Sequence, residues 1–143
     1  MNKIMKLGKR YKIPVIEDAA QAIGSMYNDR PSGSFGKVGC FSTHPLKNLN
    51  ACGDSGFLTT NNFVFYKKAL EMANESIYGL TGSIHTKNFD RANHFIQNLQ
   101  AGVVVVNAGT FGSEPHMPFG GVKGSGNGTR EPGTEALDIY SDL

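Results

Sequence analysis

Two side chains in the first third of the chain could do chemistry together: Asp18, at the end of an apolar run, and Lys47, just after a second one. A lysine amine adds to aldehydes, and a carboxylate can hold a heteroaromatic nitrogen protonated. An acid at a strand end and a lysine in the loop after a neighbouring strand are what pyridoxal phosphate (PLP) requires. The setting of Lys47 is distinctive. Cys40-Phe41-Ser42-Thr43-His44-Pro45-Leu46-Lys47-Asn48-Leu49 runs from a strand-like segment through a hydroxyl and a Pro-broken turn to Lys-Asn. A lysine taken alone is ordinarily a solvated surface residue, and Glu17-Asp18 alone reads as a strand terminus. Their joint spacing is the signal.

The elements that must position these residues follow from hydrophobic periodicity and punctuation. Ile4, Leu7 and Tyr11 form a helical stripe over residues 2–11, with basic residues between them. Pro14 forces an extended entry into a short strand ending at Glu17-Asp18. Residues 19–24 read as a single helical turn or a loop, and Arg30–Gly36 as a turn region. Strands are predicted at 38–42, 57–60, 82–86 and 103–107, the last buried on both faces by its four valines. A helix over 63–76 presents Phe65, Ala69, Met72 and Ala73 on one face. A second, capped by Asn88, carries Phe89, Ala92, Ile96 and Leu99 and stops at Gly102. A Gly/Pro-rich loop over 109–133 and a short helix near 135–140 complete the chain. Strands alternating with helices predict an α/β fold with a mostly parallel sheet flanked by helices.

The segments Ile13–Gly24, Gly33–Gly36 and Gly39–Leu49 resemble the DegT/DnrJ/EryC1/StrS sugar aminotransferases, a PLP-dependent family of fold type I. The resemblance covers residues 1–62. It implies PLP as cofactor, Lys47 as the catalytic Schiff-base lysine and transfer base, and Asp18 as partner of the ring nitrogen. It also implies Gln21 as a contact to the ring face or 3-hydroxyl, and Ser42 as a phosphate ligand. Two departures stand out. Gly53-Asp54-Ser55-Gly56 replaces the usual Gly-Glu-Gly-Gly, and the family's phosphate-gripping helix N-terminus would lie before Met1, so the site is expected to be incomplete.

Residues 66–143 are of a different kind. Tyr78–Thr86, Leu99–Asn107 and above all Pro118-Phe119-Gly120-Gly121-Val122-Lys123-Gly124-Ser125-Gly126 resemble the C-terminal part of the aldehyde dehydrogenases. Glu114-Pro115-His116-Met117 points towards the branch acting on semialdehydes. That family needs a cysteine nucleophile, a glutamate base and an NAD(P)-binding domain, all upstream of the matched region. Cys40 and Cys52 both fall in the aminotransferase-like part. Gly124, Gly126 and Gly128 follow a loop rather than a strand, with no acid about twenty residues on, so they make no dinucleotide fingerprint. NAD(P) is not expected for this chain alone, and Lys123 and Glu114 are expected to be solvated or to brace the loop.

Composition narrows the partners. A net charge of +2 without a Lys/Arg block argues against nucleic acid. The longest apolar run, Val103–Val106, is too short to span a bilayer. The first residues lack a signal-peptide pattern, and two cysteines without framework spacing suit the cytoplasm. Cys40, His44 and Cys52 match no zinc pattern, so no metal is expected. Three readings follow: a truncated or chimeric aminotransferase-like protein, catalytically incomplete; a fragment of an aldehyde dehydrogenase; or a non-catalytic recombined α/β domain. In each, apolar faces are left to be covered within the chain or by a second copy in a homo-oligomer.

Overall fold

The computed structural model describes residues 1–111, 114–131 and 133–141; residues 112, 113 and 132 of the Gly/Pro-rich loop and 142–143 lie outside the described residues. The chain divides into two compact units, Met1–Lys68 and Ala69–Leu143.

The first unit opens with helix α1 (Asn2–Tyr11), closed by Lys12 in the left-handed conformation at φ 55°. The Ile13 N–H donates to the Gly8 carbonyl at 2.9 Å, the pairing that ends many helices. The helix is where periodicity puts it, but the predicted stripe is not buried. Ile4, Leu7 and Tyr11 are all at least half exposed. The close approach is made at Gly8, where an added Cβ would come within 2.7 Å of Val15 Cγ2.

Strand β1 (Ile16–Asp18) is followed by a hairpin of β2 (Met26–Tyr27) and β3 (Arg30–Pro31), then by β4 (Val38–Ser42) and β5 (Gly56–Thr59). Asn28 and Asp29 join the hairpin, both at positive φ, the requirement of a two-residue type I′ turn. β4 is central: it pairs in parallel with β1 and antiparallel with β5. Parity sorts the side chains. Glu17, Gly39, Phe41, Phe57 and Thr59 share one face; Ile16, Asp18, Cys40, Ser42 and Leu58 share the other.

The loop 33–36 lies over the first face. Glu17 is buried there and accepts the N–H groups of Gly33 (2.9 Å), Phe35 (2.5 Å) and Gly36 (2.5 Å). Thr59 Oγ1 donates to the Gly33 carbonyl at 3.1 Å. Gly39 must be glycine at this crossing, since a Cβ would sit 2.7 Å from the Gly33 Cα. Phe35 carries the hairpin, with Arg30 stacked 4.3 Å from its ring centroid and Tyr27 against it edge-on. Phe41 stacks on Phe57 at 4.7 Å.

Helix α2 (Phe63–Asn74) begins in the first unit and ends in the second. Asn62 caps it, Oδ1 accepting from the Val64 and Phe65 N–H groups at 2.9 and 3.2 Å. Its buried residue is Leu70, not Met72 of the predicted face, which is 59% exposed. The second unit then holds β6 (Tyr78–Gly79), β7 (Thr81–Ile84), α3 (Phe89–Asn98), β8 (Val103–Val106), β9 (Val122–Lys123) and α4 (Glu135–Tyr140). β7 and β8 pair in parallel across α3, and β6 pairs antiparallel with β9. Asn88 caps α3 as predicted, accepting from the Arg91 N–H at 2.8 Å. The helix ends at Asn98 with Leu99 as its extended C-cap, short of Gly102.

The α/β class holds, with one correction. Among the described residues there are, in place of a mostly parallel sheet, four small sheets of both senses: one of three strands and three of two. β8 consequently has one partner strand, and its valines are half-buried rather than enclosed on both faces. Among the described residues only Ala19, Phe35 and Leu70 are buried apolar side chains.

Candidate active site

Lys47 lies just beyond the end of β4, and its placement is local. His44-Pro45-Leu46-Lys47 is a β-turn, with the Lys47 N–H donating to the His44 carbonyl at 2.8 Å. Proline at the second position is pre-set for such a turn and contributes no competing N–H. The imidazole adds a second tie, since Nδ1 accepts the Leu46 N–H at 3.1 Å. Two backbone bonds close the loop that carries the turn: Thr43 N–H to the Ser55 carbonyl (2.8 Å) and Ala51 N–H to the Thr43 carbonyl (2.7 Å). Beside this loop is an open surface pocket of about 540 Å³ lined by Ser42, His44, Leu46, Lys47, Asp54 and Ser55.

Within it Lys47 is half-buried. Ser42 Oγ accepts the His44 N–H at 3.3 Å, and a hydroxyl in that role still has its proton to donate. His44 Nε2 stands 3.4 Å from Asp54 Oδ1. The charged and titratable lining is thus one amine, one imidazole and one carboxylate.

Of the four residues singled out from sequence, the fold brings Ser42 and Lys47 to this pocket. Asp18 and Gln21 do not line it. Asp18 shares a sheet face with Ser42 but is exposed at the end of β1, where Oδ1 accepts the Ala20 N–H at 3.1 Å. Gln21 is exposed in the turn that follows. Sequence reasoning passed over Glu17, treating it with Asp18 as a pair of strand-end acids. Strand parity separates them, and the small-residue loop 33–36, rich in free N–H groups, was the signal that one of the pair would be buried.

The second unit has a groove of about 530 Å³ lined by Leu80, Phe119, Gly120, Gly121, Ser125 and neighbouring loop residues through Glu131. Its polar groups are engaged in holding the loop. Ser125 Oγ accepts the Gly79 N–H at 3.0 Å, and Arg130 donates to the Gly121 carbonyl at 3.0 Å. Lys123 is a brace, its Nζ donating to the Asn74 and Ser76 carbonyls at 2.6 and 3.0 Å. A cation at a helix C-terminus is also favoured by the helix dipole. Glu114 is exposed. The Tyr140 hydroxyl donates to Glu131 Oε1 at 2.7 Å. That bond, and the cost of a second negative charge beside the carboxylate, raise the phenol above its ordinary pKa.

Cys40 and Cys52 are free thiols, and both lie in the first unit. Among the described residues no group of three or more His, Cys, Asp or Glu side chains could hold a metal, and no helix is long and apolar enough to cross a membrane.

Comparison with known proteins gives two kinds of relative. One is the UDP-N-acetyl-3-dehydro-alpha-D-glucosamine 3-aminotransferase of Acidithiobacillus ferrooxidans, 45% identical over 52% of this chain and 20% of that protein. Another is the alpha-ketoglutarate semialdehyde dehydrogenase of Haloferax volcanii, 46% identical over 53% of this chain and 16% of that protein. Among solved structures, the aminotransferase of Psychrobacter cryohalolentis is 35% identical over 52% of this chain and 20% of its own, with a TM-score of 0.48. The chain thus spans a fifth or less of the length of these curated relatives. The family profile matches residues 1–109 and so runs past the seam that the two sequence resemblances place near 60–68. The resemblance is therefore composite, with aldehyde dehydrogenase relatives covering about half the chain, and the chain belongs to the DegT/DnrJ/EryC1/StrS aminotransferase family.

Proposed function

We propose that the first unit carries the cofactor-lysine site of a PLP-dependent sugar aminotransferase, and that the chain alone is catalytically incomplete. The observation that carries this reading is the shared pocket of Ser42 and Lys47, with Lys47 at the end of a doubly tied turn. The pocket is an open surface depression, so its fit to the group rests on the residues that line it. The donor set suits it in part: Lys47 offers an amine to the aldehyde, and the Ser42 hydroxyl a proton to a phosphate oxygen. When bound, PLP supplies an aldehyde that takes up an amine and a ring that withdraws electrons from it. The ring needs a carboxylate at its nitrogen to do this well. Asp18, the residue the resemblance implies for that task, is exposed, engaged with Ala20 and outside the pocket. Capture of the cofactor is therefore supported further than turnover.

Titration with PLP tests the capture. A new absorbance band should form, and borohydride should fix PLP covalently on the peptide containing Lys47. Absence of fixation, or an unchanged yield in Lys47→Ala, would end this reading. The second unit's relatedness to a semialdehyde dehydrogenase favours a second reading, a piece of an NAD(P)-dependent enzyme. Its sequence contains no cysteine to attack an aldehyde, so reduction of NAD(P) by the purified chain is not expected. Observing it would favour that alternative instead.

A further inference from the structure

We propose that His44 is a positioning residue for Lys47, acting through Nδ1 as a hydrogen-bond acceptor in the Nε2-protonated neutral tautomer; the functional consequence rests on the reading of Lys47 as the cofactor lysine. A backbone amide can only donate, so the 3.1 Å contact between the Leu46 N–H and Nδ1 requires the Nδ1 lone pair. A neutral imidazole has one ring proton, which must then sit on Nε2. That nitrogen stands 3.4 Å from Asp54 Oδ1. One ring thus holds the Leu46 amide through Nδ1 and faces Asp54 through Nε2.

The tie matters because little else holds this stretch. The Leu46 side chain is 88% exposed and anchors nothing. Pro45 has no N–H to give. What remains is the Lys47 N–H on the His44 carbonyl and the His44 N–H on Ser42 Oγ, both of which run through His44. Protonation at Nδ1 would put a donor against the Leu46 N–H and break the tie. The charged groups sharing the pocket lining with the ring are Lys47 and Asp54.

Side-chain geometry supplies the test. The Asn amide oxygen, like His Nδ1, is attached to Cγ, so His44→Asn retains the acceptor for Leu46. His44→Leu removes it. The first readouts need no cofactor: ¹⁵N shifts of the ring, which report its tautomer, and hydrogen exchange of the Leu46 amide. The ring should be Nε2-protonated, and Leu46 exchange should accelerate in His44→Leu but not in His44→Asn. The rate of borohydride-trapped PLP capture by Lys47 should fall roughly three- to tenfold in His44→Leu, the worth of one neutral hydrogen bond, and recover in His44→Asn. An Nδ1-protonated ring, or equal impairment in both variants, would overturn the proposal. If the unaltered protein captures no PLP, the cofactor reading fails alone, and the tautomer and Leu46 exchange still decide the role of His44.

Discussion

Glu17 receives three backbone N–H groups from the 33–36 loop while buried beneath it. Glu17→Ala strands those donors in a site that excludes water, and should lower stability by about 3 kcal/mol in urea unfolding. Asp18→Ala, one residue on, removes a single exposed bond and should cost well under half as much. Equal effects would contradict the separation of the two acids by strand parity. At the other end of the chain, Tyr140 keeps its proton longer than an ordinary phenol because of Glu131. A raised folded-state pKa means the stabilising contribution is complete below about pH 10, the unfolded value, and is lost as pH rises through the folded one. Tyrosine ring NMR should therefore show Tyr140 ionising above that value, and Glu131→Gln should remove most of the shift. At this scale the candidate site was only half legible. Lys47 and Ser42 sit five residues apart in one Pro-broken turn, so their proximity is local. Asp18 lies outside their pocket, which follows from the spatial relation between β1 and the 43–55 loop that no spacing encodes.

Elements with strong local signals came out where the pattern placed them: α1, β4 and α3, the last with its Asn88 cap. Removing that cap in Asn88→Ala should cost about 1 kcal/mol, read as lower thermal stability of the second unit with reduced helicity at 222 nm. No change would mean that the Arg91 N–H finds another acceptor. What periodicity misjudged was how far the predicted helix faces are buried. Gly8 shares the face of Ile4 and Tyr11 and meets Val15, yet Ile4, Leu7 and Tyr11 all stay at least half exposed. The β2–β3 hairpin escaped notice because its turn uses Asn28-Asp29 instead of a glycine pair, and both tolerate positive φ.

For the whole chain, a small buried core contrasts with many exposed apolar residues, among them Ile16 at 59% and Leu58 at 56% on one face of the β1–β4–β5 sheet. Exposed apolar surface of this kind drives association or dye binding. Anilinonaphthalene sulfonate should therefore fluoresce with the native protein, and sedimentation should show mass rising with concentration. A monomer across the series with no dye binding would refute both. The primary structure alone was enough to establish the composite resemblance, the α/β class, the Lys47 turn and the capped helix, because each rests on side chains within a few residues of one another. The strand senses, the burial of Glu17 in place of Asp18, and the exclusion of Asp18 and Gln21 from the Lys47 pocket came from the tertiary structure. Those depend on which segments lie against one another, and segments as far apart as β1 and the 43–55 loop carry no local record of that choice.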